Sequence, residues 1–361
     1  MKVLLVGNYI PDRQYSMLGF ADAMQRGLSG HVEFEHIAPE PIFGGPDRSK
    51  WFGYLDKFVC FPRKLRRTAR RADLVHILDH SNAVYLPHVA NRPHLVTCHD
   101  VLPHRAVKGE FPGWQIGRTG RAQQRWIARN LRRARNVVCV SQATLEDAVR
   151  VLGLERKSLR VVLNGTYKPI CPMDETQARV VLDGRFPERF ILHVGGSVPY
   201  KNRPGVIRAF AASCRWLDRD VHLVLVGKPP WEASEAIVEE LGIADRVVMV
   251  SHASDREVQA AYCVAESLFF LSYAEGFGLP VLEAMACGCP VVASNRAPMT
   301  EVGGDVPLYV DPDDPEDAAA QIHAWWPNRR SKVAAGLERV HLFSLERMVG
   351  DYLRTYQDLA G

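Results

Sequence analysis

The sequence predicts an α/β protein of two doubly wound, parallel-sheet domains facing each other across a cleft. Three observations carry that prediction. Short apolar runs, the mark of strands buried on both faces, alternate with stretches of helical periodicity. The alternation breaks once, in a polar stretch holding Pro169, Pro172 and Pro187, and then restarts. Finally, 361 residues with 47% apolar and 24% charged side chains suit two ordinary globular domains and exclude disorder, collagen and coiled coil.

In the first half, "MKVLLVG" (Met1–Gly7) reads as a buried strand feeding a loop, and a helix follows around Gly19–Leu28. "HVEFEHI", "DLVHIL", "PHLVTCHD", "NVVCVS" and "SLRVVLNG" continue the strands, with helical patterns between several of them. In the second half "RFILHVGG", "DVHLVLVGK", "RVVMVS", "SLFFLS" and "CPVVAS" are strands. "RPGVIRAFAASC", "EASEAIVEELG", "DREVQAAYCVA" and "LPVLEAMACG" are helices. Strand–helix alternation of this kind builds parallel sheets. The last helix runs from Ser344 to about Leu359, with Leu345, Met348, Val349, Tyr352, Leu353 and Tyr356 at helical spacing, and is placed to cross back to the first domain. The expected boundaries are 1–168 for the first domain, 169–187 for a linker, 188–341 for the second domain and 342–361 for the crossover helix.

The net charge of +4 conceals a division. Residues 1–170 hold 27 Lys/Arg against 14 Asp/Glu, whereas the remainder holds 18 against 27. Such asymmetry points to an anionic partner for the basic half, or to two domains that attract each other. The eight cysteines lie mostly in apolar runs, without a paired metal framework, and read as small buried hydrophobes. No leader precedes the first strand and no apolar run reaches membrane-spanning length, so the expectation is a reduced, cytoplasmic chain.

The segment 271–290, "LSYAEGFGLPVLEAMACGCP", carries the most chemistry. A strand ends near Ser272, Glu275 opens the turn Gly276-Phe277-Gly278, and Pro280 begins a helix that contains Glu283 and ends at Gly288. Amide groups at a helix start, together with glycines, favour an anion. Glu283, placed in the first turn, can accept hydrogen bonds from a vicinal diol, and Glu275 can reach a second polyhydroxylated group. A ligand with hydroxyls at both ends and phosphates between them, such as a nucleotide sugar, meets all three features.

With Glu275 and Glu283 separated by seven residues and followed by "AMACGCPVV", the segment resembles the signature of the retaining glycosyltransferases of family 4, which have the GT-B fold of two Rossmann-like domains. The resemblance implies that Glu275 contacts the transferred sugar. It lays the backbone of Gly276, Phe277, Gly278 and Leu279 along sugar and diphosphate, and gives the ribose hydroxyls to Glu283. "HVGGSVPYKN" is a second matching element: Gly195, Gly196, Lys201 and Asn202 suit a diphosphate leaving group ahead of a helix. The family often has an Arg where this chain has Gly196, which leaves more of the phosphate charge to Lys201. In "VTCHDVLPH", His99 matches the histidine that lies beside the donor sugar, with His80 and His104 as further candidates. Val250 and Ser251 fall in the segment resembling the one whose backbone contacts the base, and Asn164-Gly165 matches a turn that closes the first domain. Ser141 and Thr144 read as caps of the next helix. "GNYIPDRQYSM" departs from the Gly-Gly loop usual after the first strand, on the acceptor side.

Other motifs are set aside. Asp311-Pro-Asp313 and Asp218-Arg-Asp220 spell the metal-binding DxD of other glycosyltransferases, but read as a solvated loop, a helix cap and a helix end. The resemblance implies no cofactor and no catalytic metal. Arg118, Arg121, Arg125, Arg129 and Arg132 share one helical face, opposite Ile127, Leu131 and Ala134, and Arg63, Lys64, Arg66, Arg67, Arg70 and Arg71 form a second basic cluster. No nucleic-acid recognition motif accompanies them, and an anionic membrane surface fits better. The expectation is a retaining hexosyltransferase, peripheral on the inner face of the plasma membrane. It would move mannose from GDP-mannose, or a hexose from a UDP-hexose, to a glycan or polyprenyl-linked acceptor, as in bacterial polysaccharide synthesis. A sugar-nucleotide 2-epimerase, a phosphorylase and a non-catalytic nucleotide-sugar-binding subunit stay open as alternatives.

Overall fold

The computed structural model describes residues 1–45 and 50–360. It divides into two compact units. The first comprises Met1–Glu110, Gln115–Lys168 and the C-terminal segment from Phe343. The second comprises Phe111–Trp114 and Pro169–Leu342.

The first unit is a six-stranded parallel sheet of β1 (Lys2–Val6), β2 (Glu33–Ile37), β3 (Leu74–Ile77), β4 (His94–Cys98), β5 (Val137–Cys139) and β6 (Leu159–Val161), in the order β2-β1-β3-β4-β5-β6. Every residue of β3, β4 and β5 is buried, which is why these strands read as unbroken apolar runs. Helices α1 (Tyr15–Leu28), α2 (Phe61–Ala69), α3 (Arg118–Leu131) and α4 (Gln142–Leu152) are among those that flank the sheet. Ser141 caps α4 by accepting the Thr144 N–H at 3.0 Å, as expected.

The terminal helix, Leu345–Ala360, belongs to this unit and packs on α1 and β3. It is held by a buried polar chain. Tyr356 Oη lies 2.6 Å from His76 Nδ1, His76 Nε2 lies 2.7 Å from Thr97 Oγ1, and Thr97 Oγ1 lies 2.9 Å from Tyr352 Oη. Burial pushes His76 down to about 3, so the imidazole is neutral in the fold. Gly165 sits against this helix start: a Cβ there would lie 2.7 Å from the Ser344 carbonyl oxygen, so only glycine fits the close approach.

The second unit is also six-stranded and parallel: β7 (Arg189–Val194), β8 (Val221–Gly227), β9 (Val247–Ser251), β10 (Ser267–Phe270), β11 (Val291–Ser294) and β12 (Leu308–Val310), in the order β12-β11-β10-β7-β8-β9. The short β12 has no counterpart among the strands read from the sequence; it is three residues long and only half-buried at Leu308 and Tyr309. The stretch 169–187, expected as a linker, contains a helix, α5 (Glu175–Leu182), that packs on α7 (Asp255–Val264). Asp174 caps α5 by accepting from the Thr176 and Gln177 N–H groups, so the prolines mark the helix entrance and exit. The cysteines also depart from expectation: Cys171 is exposed, and Cys60, Cys214 and Cys263 are half-buried.

Candidate active site

In a doubly wound sheet, ligands bind beyond the carboxyl ends of the strands where the strand order reverses. In the second unit the order runs outward from β7 on one side and from β10 on the other, so that point lies between β7 and β10. The two loops leaving these strands are the two carrying the predicted residues. They are tied directly, since the Tyr273 N–H donates to the Tyr200 carbonyl at 2.8 Å.

Lys201 ends a short 3-10 turn, Pro199–Lys201, after β7. Its Nζ lies 2.8 and 2.9 Å from the two carboxylate oxygens of Glu275, in the loop after β10. The side chains are only 17% and 9% exposed, so this pair is substantially screened from water. The ammonium also lies 5.6 Å from the Tyr200 ring centroid and 5.4 Å from that of Phe270. Three aromatic side chains gather here, because Phe111 and Trp114 place their rings 5.8 and 5.3 Å from Tyr200.

Asn202, expected to touch a donor, follows Lys201 and ties the loop to two other segments. It is buried with φ at +51°, accepts the Gly205 N–H at 3.1 Å as cap of α6 (Arg203–Ser213), and donates to the Leu271 and Pro312 carbonyls at 3.0 and 3.1 Å. Asn tolerates this left-handed backbone better than most residues, and its amide locks the β7 turn to the end of β10.

The helix α8 (Leu279–Ala286) starts at Gly278, whose φ is +94°, and no side chain caps it. Its amide end therefore follows directly on the loop of Glu275. Glu283 is the fifth residue of α8, one residue deeper than the sequence suggested, because the helix begins at Leu279 rather than at Pro280. Tyr262 from α7 donates to Glu283 Oε2 at 3.2 Å. Burial and the nearby carboxylate hold the Tyr262 hydroxyl well above its usual range, so it remains a donor and fixes the rotamer of Glu283.

Three residues that the sequence reading missed lie beneath these loops. Arg203 is buried and donates to the Gly195 carbonyl at 2.9 Å and to the Lys228 and Pro230 carbonyls at 3.5 Å, with its guanidinium 4.1 Å from the Trp231 ring. Burial lowers it to about 10, still cationic at neutral pH. It binds the β7 loop to the β8 loop, and Gly227 permits the approach: a Cβ there would run into the Gly195 carbonyl. His193 donates from Nδ1 to the Phe269 carbonyl at 3.0 Å and presents an unpartnered Nε2 beneath Gly195. Burial pushes it down to about 4. Ser272 Oγ is likewise buried without a partner. The signal available was a polar residue inside an apolar strand run, "RFILHVGG". Val250 and Ser251 end β9, two strands from β7, with Trp231 Nε1 donating to Ser251 Oγ at 2.9 Å.

In the first unit the order reverses between β1 and β3. Asn8, after β1, donates to Asp79, after β3, and Asp79 also accepts from Ser81 and pairs with His80 at 3.2 Å. His99 ends β4, donates from Nε2 to the Leu78 carbonyl at 2.9 Å, and meets the Phe20 ring edge-on at 4.6 Å. Burial holds its imidazole below the ordinary histidine range, so it is neutral and its Nδ1 is an acceptor. His104 donates to the Gln124 carbonyl at 3.0 Å, with burial pushing it down to about 4. The two DxD sequences are held by arginines: Arg189 bonds Asp218 and Asp220, and Arg296 bonds Asp313.

The family described as Glycosyl transferases group 1 matches residues 176–336, and the one described as Glycosyltransferase Family 4 matches residues 24–166. The chain therefore belongs to the group 1 glycosyltransferases, with their two-domain GT-B fold. It is 25% identical over 296 residues to the O-antigen chain mannosyltransferase B of Escherichia coli, covering 79% of this chain and 75% of that protein. It is 27% identical over 228 residues to the O-antigen chain mannosyltransferase RfbU of Salmonella typhimurium, covering 62% and 61%. The crystal structure of Anabaena HepE in complex with UDP and glucose matches with a TM-score of 0.75 at 19% identity, covering 99% of this chain and all of that one.

Proposed function

We propose that the chain is a retaining, metal-independent hexosyltransferase that moves mannose from GDP-mannose to a glycan or polyprenyl-linked acceptor. The observation that carries this reading is the Lys201–Glu275 pair at the β7/β10 reversal, beside the uncapped start of α8. A donor diphosphate at that helix start would draw Lys201 toward itself and leave Glu275 to the transferred sugar, with Glu283 on the ribose. The leaving diphosphate, held by Lys201 and the amides at 276–279, would then assist removal of the acceptor proton in a front-face substitution. Mannose is favoured by the two O-antigen mannosyltransferase relatives. UDP-hexose is the second reading, favoured by the UDP complex of the structural neighbour. A thermal-shift screen with GDP, UDP and their sugars separates the two, since a ligand that binds only the folded state raises the melting temperature. Incubation with and without acceptor then tests transfer. Epimerised donor or phosphorolysis in place of glycosylated product would overturn the reading, and so would the absence of any turnover.

Peripheral membrane docking belongs to the same proposal. Arg118, Arg121, Arg125, Arg129 and Arg132 are all exposed, with Ile127, Leu131 and Ala134 buried behind them, and the second basic cluster lies along the exposed face of α2. Between them runs an aromatic strip unforeseen in the sequence: Trp126 lies 5.1 Å from Phe58, Phe58 stacks on Tyr54 at 5.8 Å, and Tyr54 meets Trp51 at 5.7 Å. Trp51 is 73% exposed, and Phe52, Leu55, Val59 and Trp126 are exposed beside it. Arginines flanking exposed tryptophans suit the boundary between headgroup and acyl chain. Among the described residues no helix is long and apolar enough to span a membrane. Co-sedimentation with anionic vesicles should be lost in Trp51→Ser/Trp126→Ser even at low salt. Equal binding by that variant would reduce the surface to charge alone.

A further inference from the structure

We propose that Cys263 and Cys287 form a dithiol modification site that closes to a disulfide by exchange with a low-molecular-weight disulfide. Three distant parts of the second unit meet there. Cys263 lies near the end of α7, Cys287 directly follows α8, and the backbone of Cys171 passes between them. The Cys263 and Cys287 sulfurs lie 4.0 and 3.9 Å from the same Cys171 carbonyl oxygen, so both thiols face one acceptor. Gln259 Nε2 fixes that carbonyl at 2.9 Å, and the Met173 N–H donates to Cys263 Sγ at 3.3 Å.

The two sulfurs are not equivalent. The neighbouring Cys287 thiol, and the Met173 N–H that donates to Cys263 Sγ, hold the Cys263 thiol below the usual range against the opposing effect of burial. Cys287 keeps its proton: the neighbouring Cys263 sulfur raises it, and burial adds to that. Cys263 is half-buried and Cys287 buried, so a reagent from solvent meets the more acidic sulfur first. An accessible thiol of lowered pKa with a second thiol on the same carbonyl is the arrangement of an attacking and a resolving cysteine.

The exchange balances as follows. The Cys263 thiolate attacks one sulfur of a disulfide RSSR, whose S–S bond breaks and expels RS⁻. Cys287 gives its proton to that thiolate and attacks Cys263 Sγ, expelling a second RS⁻ that takes a proton from water. Two protein thiols are oxidised and RSSR is reduced to two RSH. The bridge falls next to Tyr262 and one turn from Glu283, since the Cys287 N–H donates to the Glu283 carbonyl at 3.1 Å. Bridging therefore shifts the Tyr262–Glu283 pair and weakens nucleotide binding, a consequence that rests on the role given above to Glu283.

The full chain treated with glutathione disulfide, then alkylated and peptide-mapped, should show a Cys263–Cys287 link. Cys287→Ser should stop at glutathione bound to Cys263, and Cys171→Ser should still form the link. Glutathione on Cys171 with Cys263 and Cys287 both alkylated, or as many thiols consumed in Cys263→Ser as in the unaltered chain, overturns the site. Titration of GDP or UDP into the reduced and bridged forms should give at least a threefold weaker Kd when bridged. Equal affinities overturn the coupling. A reduced protein that binds neither nucleotide overturns the role of Glu283, while the peptide map still decides the dithiol site.

Discussion

Replacing Lys201 by Met keeps the length of the side chain and removes its charge, leaving the Glu275 carboxylate without the ammonium that now contacts both its oxygens at 2.8 and 2.9 Å. An exposed ion pair contributes at most about 1 kcal/mol, but removing one partner of a buried pair costs about 3–5 kcal/mol because the other charge is stranded. With the carboxylate side chain 9% exposed and the lysine 17%, the lower end of that range applies, about 3 kcal/mol. In a unit of this size that corresponds to a fall of roughly 6–12 °C in melting temperature. Glu275→Gln should lose about 2 kcal/mol, as expected for a neutral partner facing a half-shielded ammonium. The double variant should then be more stable than the sum of the two losses implies, by about 2 kcal/mol, since neither charge is left alone. The assay is urea unfolding followed by tryptophan fluorescence, which reports mainly the second unit: Trp114, Trp216, Trp231, Trp325 and Trp326 lie there, against Trp51 and Trp126 in the first. A loss below about 1 kcal/mol in Lys201→Met, or strict additivity in the double variant, would refute the claim that the pair is shielded and coupled.

Tyr356→Phe should cost about 1–3 kcal/mol by leaving buried His76 Nδ1 without a partner, and limited proteolysis should cut the terminal helix faster than in the unaltered chain. Acid should destabilise the protein through His76, His104 and His193, whose folded values are pushed down to about 3, 4 and 4. The unfolded chain binds these protons first, so stability is full above about pH 6.5 and declines as pH falls toward 4; at pH 5 each histidine removes up to about 2 kcal/mol. Chemical unfolding at pH 7 and pH 5 measures this, and equal midpoints would show the imidazoles charged in the fold. Glu283→Gln should weaken GDP or UDP binding about tenfold by calorimetry, the loss expected when a charged acceptor of hydroxyl hydrogen bonds becomes neutral. An unchanged Kd would remove Glu283 from the nucleotide site.

What could be read from the sequence followed from how strongly each feature is constrained locally. Strands such as β3, β4, β5, β10 and β11 were visible because a strand covered on both faces has no choice but an apolar run; β12, three residues long and half-buried at Leu308 and Tyr309, lacks that signature. The Glu275–Glu283 segment was visible because a glycine turn into a helix is written in adjacent residues. The Lys201–Glu275 pair was not, since 74 residues separate its members and nothing in either segment says they meet. Asn202 shows the same limit from the other side. Its type suits both a ligand contact and a cap, and only the Leu271 and Pro312 carbonyls, from elsewhere in the chain, decide that its amide is fully engaged. Arg203 and His193 were missed because buried polar residues within strand-and-helix patterns look like ordinary variation until their partners are known.

The charge division gains its meaning from these partners. The half of the sequence with the acidic excess is the one proposed to hold a diphosphate, and its site meets that demand with few cations. Lys201 is neutralised by Glu275 in the resting arrangement, and Arg203 is directed at carbonyls that hold the loops. A donor bound as proposed would therefore not enter a preformed positive cradle. On the proposed placement it would exchange the Lys201–Glu275 contact for a Lys201–phosphate contact, and that exchange would release the Glu275 carboxylate to accept hydrogen bonds from the hydroxyls of the sugar. Binding energy from the far end of the donor, at Glu283, would offset the cost of breaking the pair. On this argument a bare diphosphate should bind poorly, and a nucleoside diphosphate better. The complete nucleotide sugar should gain further from Glu275, an order that the Lys201→Met variant should flatten.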